Sequence, residues 1–423
     1  MISVEEALER ILSYIPILEP EEKPILDALG QVLTEDVNAP FDIPPHDNSA
    51  MDGYAVQAAS TKGASKASPK VLTVIEEVPA GYVAQKTVGP GKAIRIMTGA
   101  PMPKGADTVV EFEETDEEAR KATQGHGLKQ IGILTEVPPG KNIRYAGEDV
   151  RRGQRIMAEG AVLRPAEIGV LASLGHATVK VIRRPVVAVL STGDELAAVG
   201  EPLTPGKIYD ANSYSVASLI KRYGGIPKPL GIACDTIEAL TQKIYQGLDA
   251  DMLITSAGVS VGDYDVVKDV LARLGEITFW TVRMRPGKPL AFGLLGQKSR
   301  NGERKIPHLG LPGNPVSSMV AFEQFGRPAI MKMMGKTNFA KPTVNAILEE
   351  PVTNKSGRRL YLRAVMSKRD GRYYASLTGP QGSGILTSMM YANGLAIIPE
   401  DTQSVKKGNL VKVQMLDWME AQD

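Results

Sequence analysis

Apolar positions change their spacing along this chain, and each change marks a different kind of element. Between residues 3 and 15, Val4, Leu8, Ile11, Leu12 and Ile15 recur three and four apart, which predicts an amphipathic helix. Ser3 and Glu6 have the spacing of a capping box at its start. Residues 26–37 read as a short helix-and-strand connector. From 70 to 146 the pattern shortens to β-like runs at 71–77, 93–97 and 107–113, separated by turns at 89–91 and 101–105, which predicts a small β domain. Residues 116–130 are polar throughout and read as an exposed hairpin or loop. A short helix at 166–173 and a strand at 178–182 follow.

After Arg183-Arg184-Pro185 the pattern changes again, to strands alternating with helices. Strands are expected at 186–190, 230–233, 252–255, 290–294 and 308–311. Helices are expected at 213–223, from a capping box of Asp235 and Glu238 to about 247, from near 265 with Val266, Val267, Val270 and Leu271 inward, and from Val316 onward. Repeated βα units predict a central, doubly wound, mostly parallel α/β domain. Runs at 344–352, 359–366, 373–377, 395–398 and 410–416 return to β character and suit a small barrel or sandwich. The expected organisation is multidomain α/β plus β. A connecting domain comprises 1–40 and 147–182, with helix 3–15 available to pack on the α/β domain. A β-rich domain covers 41–146, the α/β domain 183–335, and a barrel-like domain 336–423.

Composition narrows the chemistry. The 423 residues carry 49 Lys and Arg against 48 Asp and Glu, a balance without the basic excess of a nucleic-acid binder. One cysteine, Cys234, excludes an intrachain disulfide and a cysteine-based zinc site, and four scattered histidines disfavour a histidine-rich metal site. Any metal is therefore expected to be a hard cation on oxygen ligands. No run of 18 apolar residues and no leader pattern is evident, so a cytoplasmic protein is expected.

Three polar, glycine-bearing loops follow strands of the α/β region. The first is Ser191-Thr192-Gly193-Asp194-Glu195. The second lies within residues 251–265, reading DMLITSAGVSVGDYD, where glycines admit an anion and acids could hold a cation beside it. The third, residues 310–318, places Pro and Gly near a helix start. The second stretch alone could equally be an ordinary βα turn with Asp265 as a helix cap. Arg283-Met284-Arg285-Pro286-Gly287-Lys288-Pro289 adds three cations on a proline-fixed segment. Residues 42–56, DIPPHDNSAMDGYAV, form either a structural turn or a rigid ligand-presenting loop, with His46 reading as a surface residue. Arg144 and Asp149 could pair with each other, or face a phosphate and a metal. The clusters at 355–359 and 379–384 are hairpin loops or oxyanion contacts. Neither a P-loop nor a Rossmann glycine fingerprint occurs.

Taken together, DIPPHDNSAMDGYAV, RIMTGAPMPKGADTVV, IRYAGEDV, STGDEL, KIYDANSY, ITSAGVSVGDYD, FWTVRMRPGKPLAFG and GLPGNPVSS resemble, in order and over essentially the whole chain, the molybdopterin molybdotransferase family, called MoeA in bacteria and present as the E domain of gephyrin. The resemblance implies an elongated homodimer of four-part subunits with β domains at both ends, and a central domain like that of the molybdopterin adenylyltransferase partner. It implies Mg²⁺-dependent cleavage of adenylyl-molybdopterin with insertion of molybdate, releasing AMP and molybdenum cofactor. Glu195 and Asp265 would handle Mg²⁺, with Asp251 next. Ser256, Ser260 and the Gly258 and Gly262 backbone would hold phosphate oxygens, as would Pro312, Gly313, Asn314 and Ser317. Arg285 and Lys288 would meet the pyrophosphate or the oxyanion, and Arg358 and Ser383 the molybdate. Asp52, Thr98, Arg144 and Asp149 would complete the cleft from the other subunit. Three positions depart from the family pattern: Arg285 replaces a lysine, Ala257 a glycine, and Leu360 an acidic residue. A tungstate-inserting paralogue and a non-catalytic scaffold are the alternatives on the same fold.

Overall fold

The computed structural model describes residues 1–125, 127–257, 266–299 and 302–416. The chain divides into two compact units: Met1–Thr34, Val162–Ile168 and Thr178–Asp423 form the first, and Glu35–Ala161 with Gly169–Ala177 the second.

The first unit is built on a six-stranded sheet of β1 (Val186–Thr192), β2 (Ile226–Ala233), β3 (Met252–Ser256), β4 (Gly275–Thr281), β5 (Pro289–Ser299) and β6 (Gly302–Leu311). The strand order is β2-β1-β3-β6-β5-β4. The first four strands of that order pair in parallel, and β5 is antiparallel to both of its neighbours. The expected mostly parallel sheet is present, with an antiparallel hairpin added. Residues on these strands alternate between two cores, as a sheet covered on both faces requires. Val187, Val189, Met252, Ile254, Leu309 and Leu311 turn toward the helices Val4–Tyr14, Ala211–Arg222 and Pro315–Ala321. Ala188, Leu190, Leu253 and Ile306 turn the other way, toward Ile237–Gly247 and Val266–Leu274.

Helix starts follow their caps. The Ser3 hydroxyl accepts from the Glu6 amide at 3.0 Å, but the Glu6 side chain pairs with Arg10 instead of closing the box. Asp210 caps Ala211–Arg222, two residues before the expected start. Thr236, not Asp235, caps Ile237–Gly247, accepting from the Ala239 amide at 3.2 Å.

The C-terminal part of this unit is a closed five-stranded barrel. Arg359–Arg369 pairs with both Arg372–Leu377 and Gly394–Ile398, and the ring closes through Thr343–Leu348 and Leu410–Met415. Leu360 is buried in the barrel core, which accounts for an apolar residue there.

The second unit carries a five-stranded sheet in the order Thr108–Glu111, Gly53–Val56, Lys92–Ile96, Lys70–Val78, Gln130–Ile133. Gly53 is required: a Cβ there would stand 2.1 Å from the Val110 carbonyl oxygen. The expected loop at 116–130 instead contains the helix Glu117–Gln124. Its stability comes from charge rather than an apolar stripe, since nearly buried Glu117 pairs with both Arg95 and Lys121.

One buried group gives the fold a pH dependence. His308 is fully buried on β6, its Nε2 3.0 Å from the Thr255 hydroxyl, and burial pushes its pKa down to about 3. In the unfolded chain an imidazole takes its proton near pH ~6.5. The folded state therefore binds fewer protons between those values, and this stability is complete above about pH 6.5 and lost as pH falls toward 3. Urea unfolding at pH 7.5 and pH 5 should show the wild type losing about 2 kcal/mol more than His308→Gln. Equal losses would remove His308 as the cause.

Candidate functional site

The carboxyl ends of β1, β3 and β6 open into a cleft of about 590 Å³. This is the rim at which parallel α/β sheets bind ligands. Thr192 and Glu195 line it from the loop after β1, Ser256 and Ala257 from the end of β3, and Pro312, Gly313 and Asn314 from the loop after β6. The expected site residues Glu195, Ser256, Pro312, Gly313, Asn314 and Ser317 thus share one wall. Gly258, Ser260, Gly262 and Asp265 lie outside the described residues.

Asn212 holds these loops together. From the first turn of Ala211–Arg222 its Nδ2 donates to the Ser256 hydroxyl at 2.7 Å and to the Gly313 carbonyl at 2.6 Å. Its Oδ1 is buried without a hydrogen-bond partner among the described residues. A buried acceptor left this way is suited to a donor on a ligand. Next to it, Asp210 is consumed structurally: it caps the helix through the Ser213 amide at 3.0 Å and accepts from the Ser191 hydroxyl at 2.8 Å. Neither Asn212 nor Asp210 is among the residues expected from the sequence. The available signal was their position immediately after a strand-like Ile208-Tyr209 pair and at a helix start.

Glu195 is exposed, and its carboxylate folds back over Gly193, within 2.4 Å of where a Cβ on that glycine would lie. Gly193, at φ +141°, makes room for it. An exposed carboxylate on the rim would suit a hard cation such as Mg²⁺, which takes oxygen ligands and keeps several waters. Among the described residues no group of three His, Cys, Asp or Glu side chains could hold a metal by itself.

Two contacts bring the barrel to this rim. Met284–Arg285 pairs in parallel with Arg359 and Leu360, and the Val316 amide donates to the Ser383 carbonyl at 3.1 Å. Gly384 consequently lines the cleft, as does Pro289 beside Lys288. Arg285 and Lys288 are exposed and form no ion pair among the described residues. The two arginines after Gly357 separate by role: Arg359 is clamped by Glu400 at 3.0 Å and by Glu5, whereas the Arg358 side chain has no such partner among the described residues. Beneath the loop carrying Ser383, Arg363 is fully buried, donating to the Ser388 hydroxyl and the Gly382 carbonyl, each at 3.0 Å. Burial lowers its pKa to about 10. Sequence reasoning also passed over this residue.

Cys234, exposed, follows β2, and the Asp235 amide next to it donates to the Asp194 carboxylate at 3.1 Å. The loop after β2 is thereby tied to the loop bearing Glu195.

Asp251 corrects an expectation. It stands before β3, at the amino end of the strand, opposite the cleft. Arg183 grips it with two bonds of 2.6 Å, and it accepts from the Val186 amide at 2.8 Å. Its carboxylate fastens β1 to β3 and does not fit a role in the cleft.

In the second unit, Asp52 accepts from both the amide (2.7 Å) and the hydroxyl (2.8 Å) of Thr98, and these bonds lower its pKa. The strand Asn48–Ser49 pairs with Ile143–Arg144, and the Asp149 amide donates to the Ile43 carbonyl at 3.0 Å. Asp52, Thr98, Arg144 and Asp149 are therefore carried by neighbouring segments, all exposed, and no ion pair joins Arg144 to Asp149 among the described residues.

Comparison with known proteins agrees along the length of the chain. Residues 2–175 match the MoeA N-terminal region (domain I and II), 188–332 a probable molybdopterin binding domain, and 345–416 the MoeA C-terminal region (domain IV). The chain is 38% identical over 420 residues to a protein of Mycobacterium tuberculosis named molybdopterin molybdenumtransferase 2, covering 98% of this chain and 99% of the relative. It is 37% identical over 425 residues to a Nostoc molybdopterin molybdenumtransferase, covering 98% and 94%. The crystal structure of a molybdopterin biosynthesis MoeA protein from Pyrococcus horikoshii superposes with a TM-score of 0.78 at 31% identity, covering 98% of this chain and 100% of the other.

Two substitutions test this geometry. Ala257 sits at φ +80°, where a Cβ is disfavoured by about 1–2 kcal/mol. Ala257→Gly relieves that strain at some cost in unfolded-chain entropy, so a net gain of about 0.5–1 kcal/mol in urea unfolding is expected. Asp251→Ala removes the two-bond partner of Arg183, whose remaining ion pair among the described residues is with Glu19, and the acceptor of the Val186 amide, and should lower stability by about 2–3 kcal/mol while ligand affinity of the cleft stays at the wild-type value. Lost affinity in a variant that is still folded would return Asp251 to the site.

Proposed function

This chain belongs to the MoeA family of molybdopterin molybdenumtransferases, transferases of molybdenum cofactor biosynthesis, and from that premise we propose that its substrates are adenylyl-molybdopterin and molybdate. The phosphoanhydride is cleaved, molybdate enters the dithiolene, and AMP and molybdenum cofactor leave. The observation that carries this reading is the Asn212 bridge between Ser256 and Gly313, which holds two strand-end loops around one cleft, with Pro289 on its wall ending a segment whose exposed cations Arg285 and Lys288 form no ion pair among the described residues. Cleaving a phosphoanhydride demands positioning and neutralisation of charge more than covalent chemistry.

In this reading the Pro312-Gly313-Asn314 turn, Ser256 and Ser317 orient the phosphates, and the Asn212 acceptor takes a ligand donor. Arg285 and Lys288 neutralise charge on the pyrophosphate or the incoming oxyanion. Arg285 presents a planar fork where a lysine would present a point charge, which favours two-point contact with an oxyanion. Arg358 and the Ser383 loop receive molybdate, and buried Arg363 supplies positive charge from below that loop. Glu195, with Asp265, holds Mg²⁺; when bound, the ion withdraws charge from the phosphate oxygens. Asp52, Thr98, Arg144 and Asp149 serve the cleft of a second copy of the chain, in a homodimer supplied with substrate by an adenylyltransferase.

AMP release is the decisive measurement. The purified chain, adenylyl-molybdopterin, Mg²⁺ and molybdate should yield AMP, and chelating the metal should stop it. Glu195→Ala and Lys288→Ala should each slow release by about 10²-fold or more while the nucleotide still binds. Release with tungstate alone would reassign the cargo. Tight nucleotide binding without release under either oxyanion would make the chain a binding protein.

A further inference from the structure

The cleft leaves one concentration of charge in the first unit unused. At the amino ends of β1 and β2, the opposite end of the strands, lies a second cavity of about 340 Å³. Arg184, Lys221, Arg222, Arg327 and Lys336 line it, and no carboxylate does among the described residues. These cations come from four separate segments: the linker before β1, the end of the helix Ala211–Arg222, the helix Arg327–Met333, and the turn after it.

Arg184 and Arg327 are held by neutral groups among the described residues, so their charge is not compensated by these contacts. Arg184 donates to the Gln31 side chain at 3.3 Å and to the Leu29 carbonyl at 3.1 Å. Arg327, only 7% exposed, donates to the Phe339 and Ala340 carbonyls at 2.8 and 3.2 Å. Arg222 donates to the Leu416 carbonyl at 2.6 Å. Glu323, which accepts from the Tyr223 hydroxyl at 2.9 Å, is already matched with Lys341. Lys336 has neither an acceptor nor an ion pair among the described residues. Burial first, and then Arg184 and Arg327, lower its pKa. An architectural explanation suffices for three arginines holding carbonyls. It does not explain a half-buried lysine set among them without a partner, because like charges withdrawn from water repel more strongly than they would in it.

We propose that this cavity is an anion site, distinct from the catalytic cleft, for a phosphate-bearing small molecule. Guanidinium forks and a mobile ammonium match phosphate oxygens in geometry and charge. The cavity also falls within the size range of small-molecule sites.

The test uses the full chain titrated with inorganic phosphate and, separately, with glycerol phosphate, against chloride at constant ionic strength. Calorimetry and thermal unfolding give the readout. Saturable binding is expected, with Lys336→Met and Arg184→Met each raising Kd by about tenfold or more. Lys288→Met, altered in the cleft, should keep the wild-type Kd. Without anion, Lys336→Met should melt at or above the wild type, since it removes a repelled charge, and this checks that the variant folds. Tighter binding of glycerol phosphate would identify a phosphate ester as the ligand, and equal binding would identify free phosphate. Absence of saturable binding up to about 10 mM, or binding lost in Lys288→Met and kept in Lys336→Met and Arg184→Met, would overturn the proposal.

Discussion

Burial on both faces of β1 and β3 is the constraint on which the rest of the first unit depends. Val187 and Val189 face one core while Ala188 and Leu190 face the other, and Met252, Leu253 and Ile254 repeat the alternation on the neighbouring strand. A slip of one residue would exchange every side chain between two differently shaped cores, so the parallel register is strongly fixed. Fixed register brings the strands to a common end, and the polar loops follow from there. Asp251 secures the other end by holding Arg183 and the Val186 amide together. The carboxylate that looked like chemistry in the sequence supports that chemistry from the far end of the strand.

Legibility followed the strength of local patterns. The buried runs of β1 and β3, the helix after Ser3 and the barrel strands were readable because their apolar spacing is not shared with another element. Strand Gly275–Thr281 was missed because it begins directly where the helix Val266–Leu274 ends, with no intervening turn. Helix Glu117–Gln124 was missed because ion pairs with Arg95 and Lys121 stabilise it in place of an apolar stripe. In the site, loop residues after strands were readable, since parallel strands deliver such loops to one rim. The same rule could have excluded Asp251, which precedes its strand. Asn212 and Arg363 were hidden for a different reason: their partners Ser256, Gly313, Ser388 and Gly382 are distant in sequence or indistinct in it.

Backbone contacts help carry the barrel to the rim of the site. Two residues of parallel pairing, Met284–Arg285 against Arg359 and Leu360, attach the cation-rich segment to the barrel wall. A bond from the Val316 amide to the Ser383 carbonyl attaches the barrel loop to the loop after β6. Backbone joints of this kind tolerate side-chain replacement. Arg285 and Leu360 both lie on one of them.

The loop after β2 has a practical consequence. Cys234 is the only thiol in 423 residues, it faces solvent, and the bond from Asp235 to Asp194 couples its surroundings to the loop of Glu195. The natural sequence therefore already supplies a unique attachment point for a fluorophore or spin label, on a loop bonded to the loop of Glu195 and requiring no prior removal of competing cysteines.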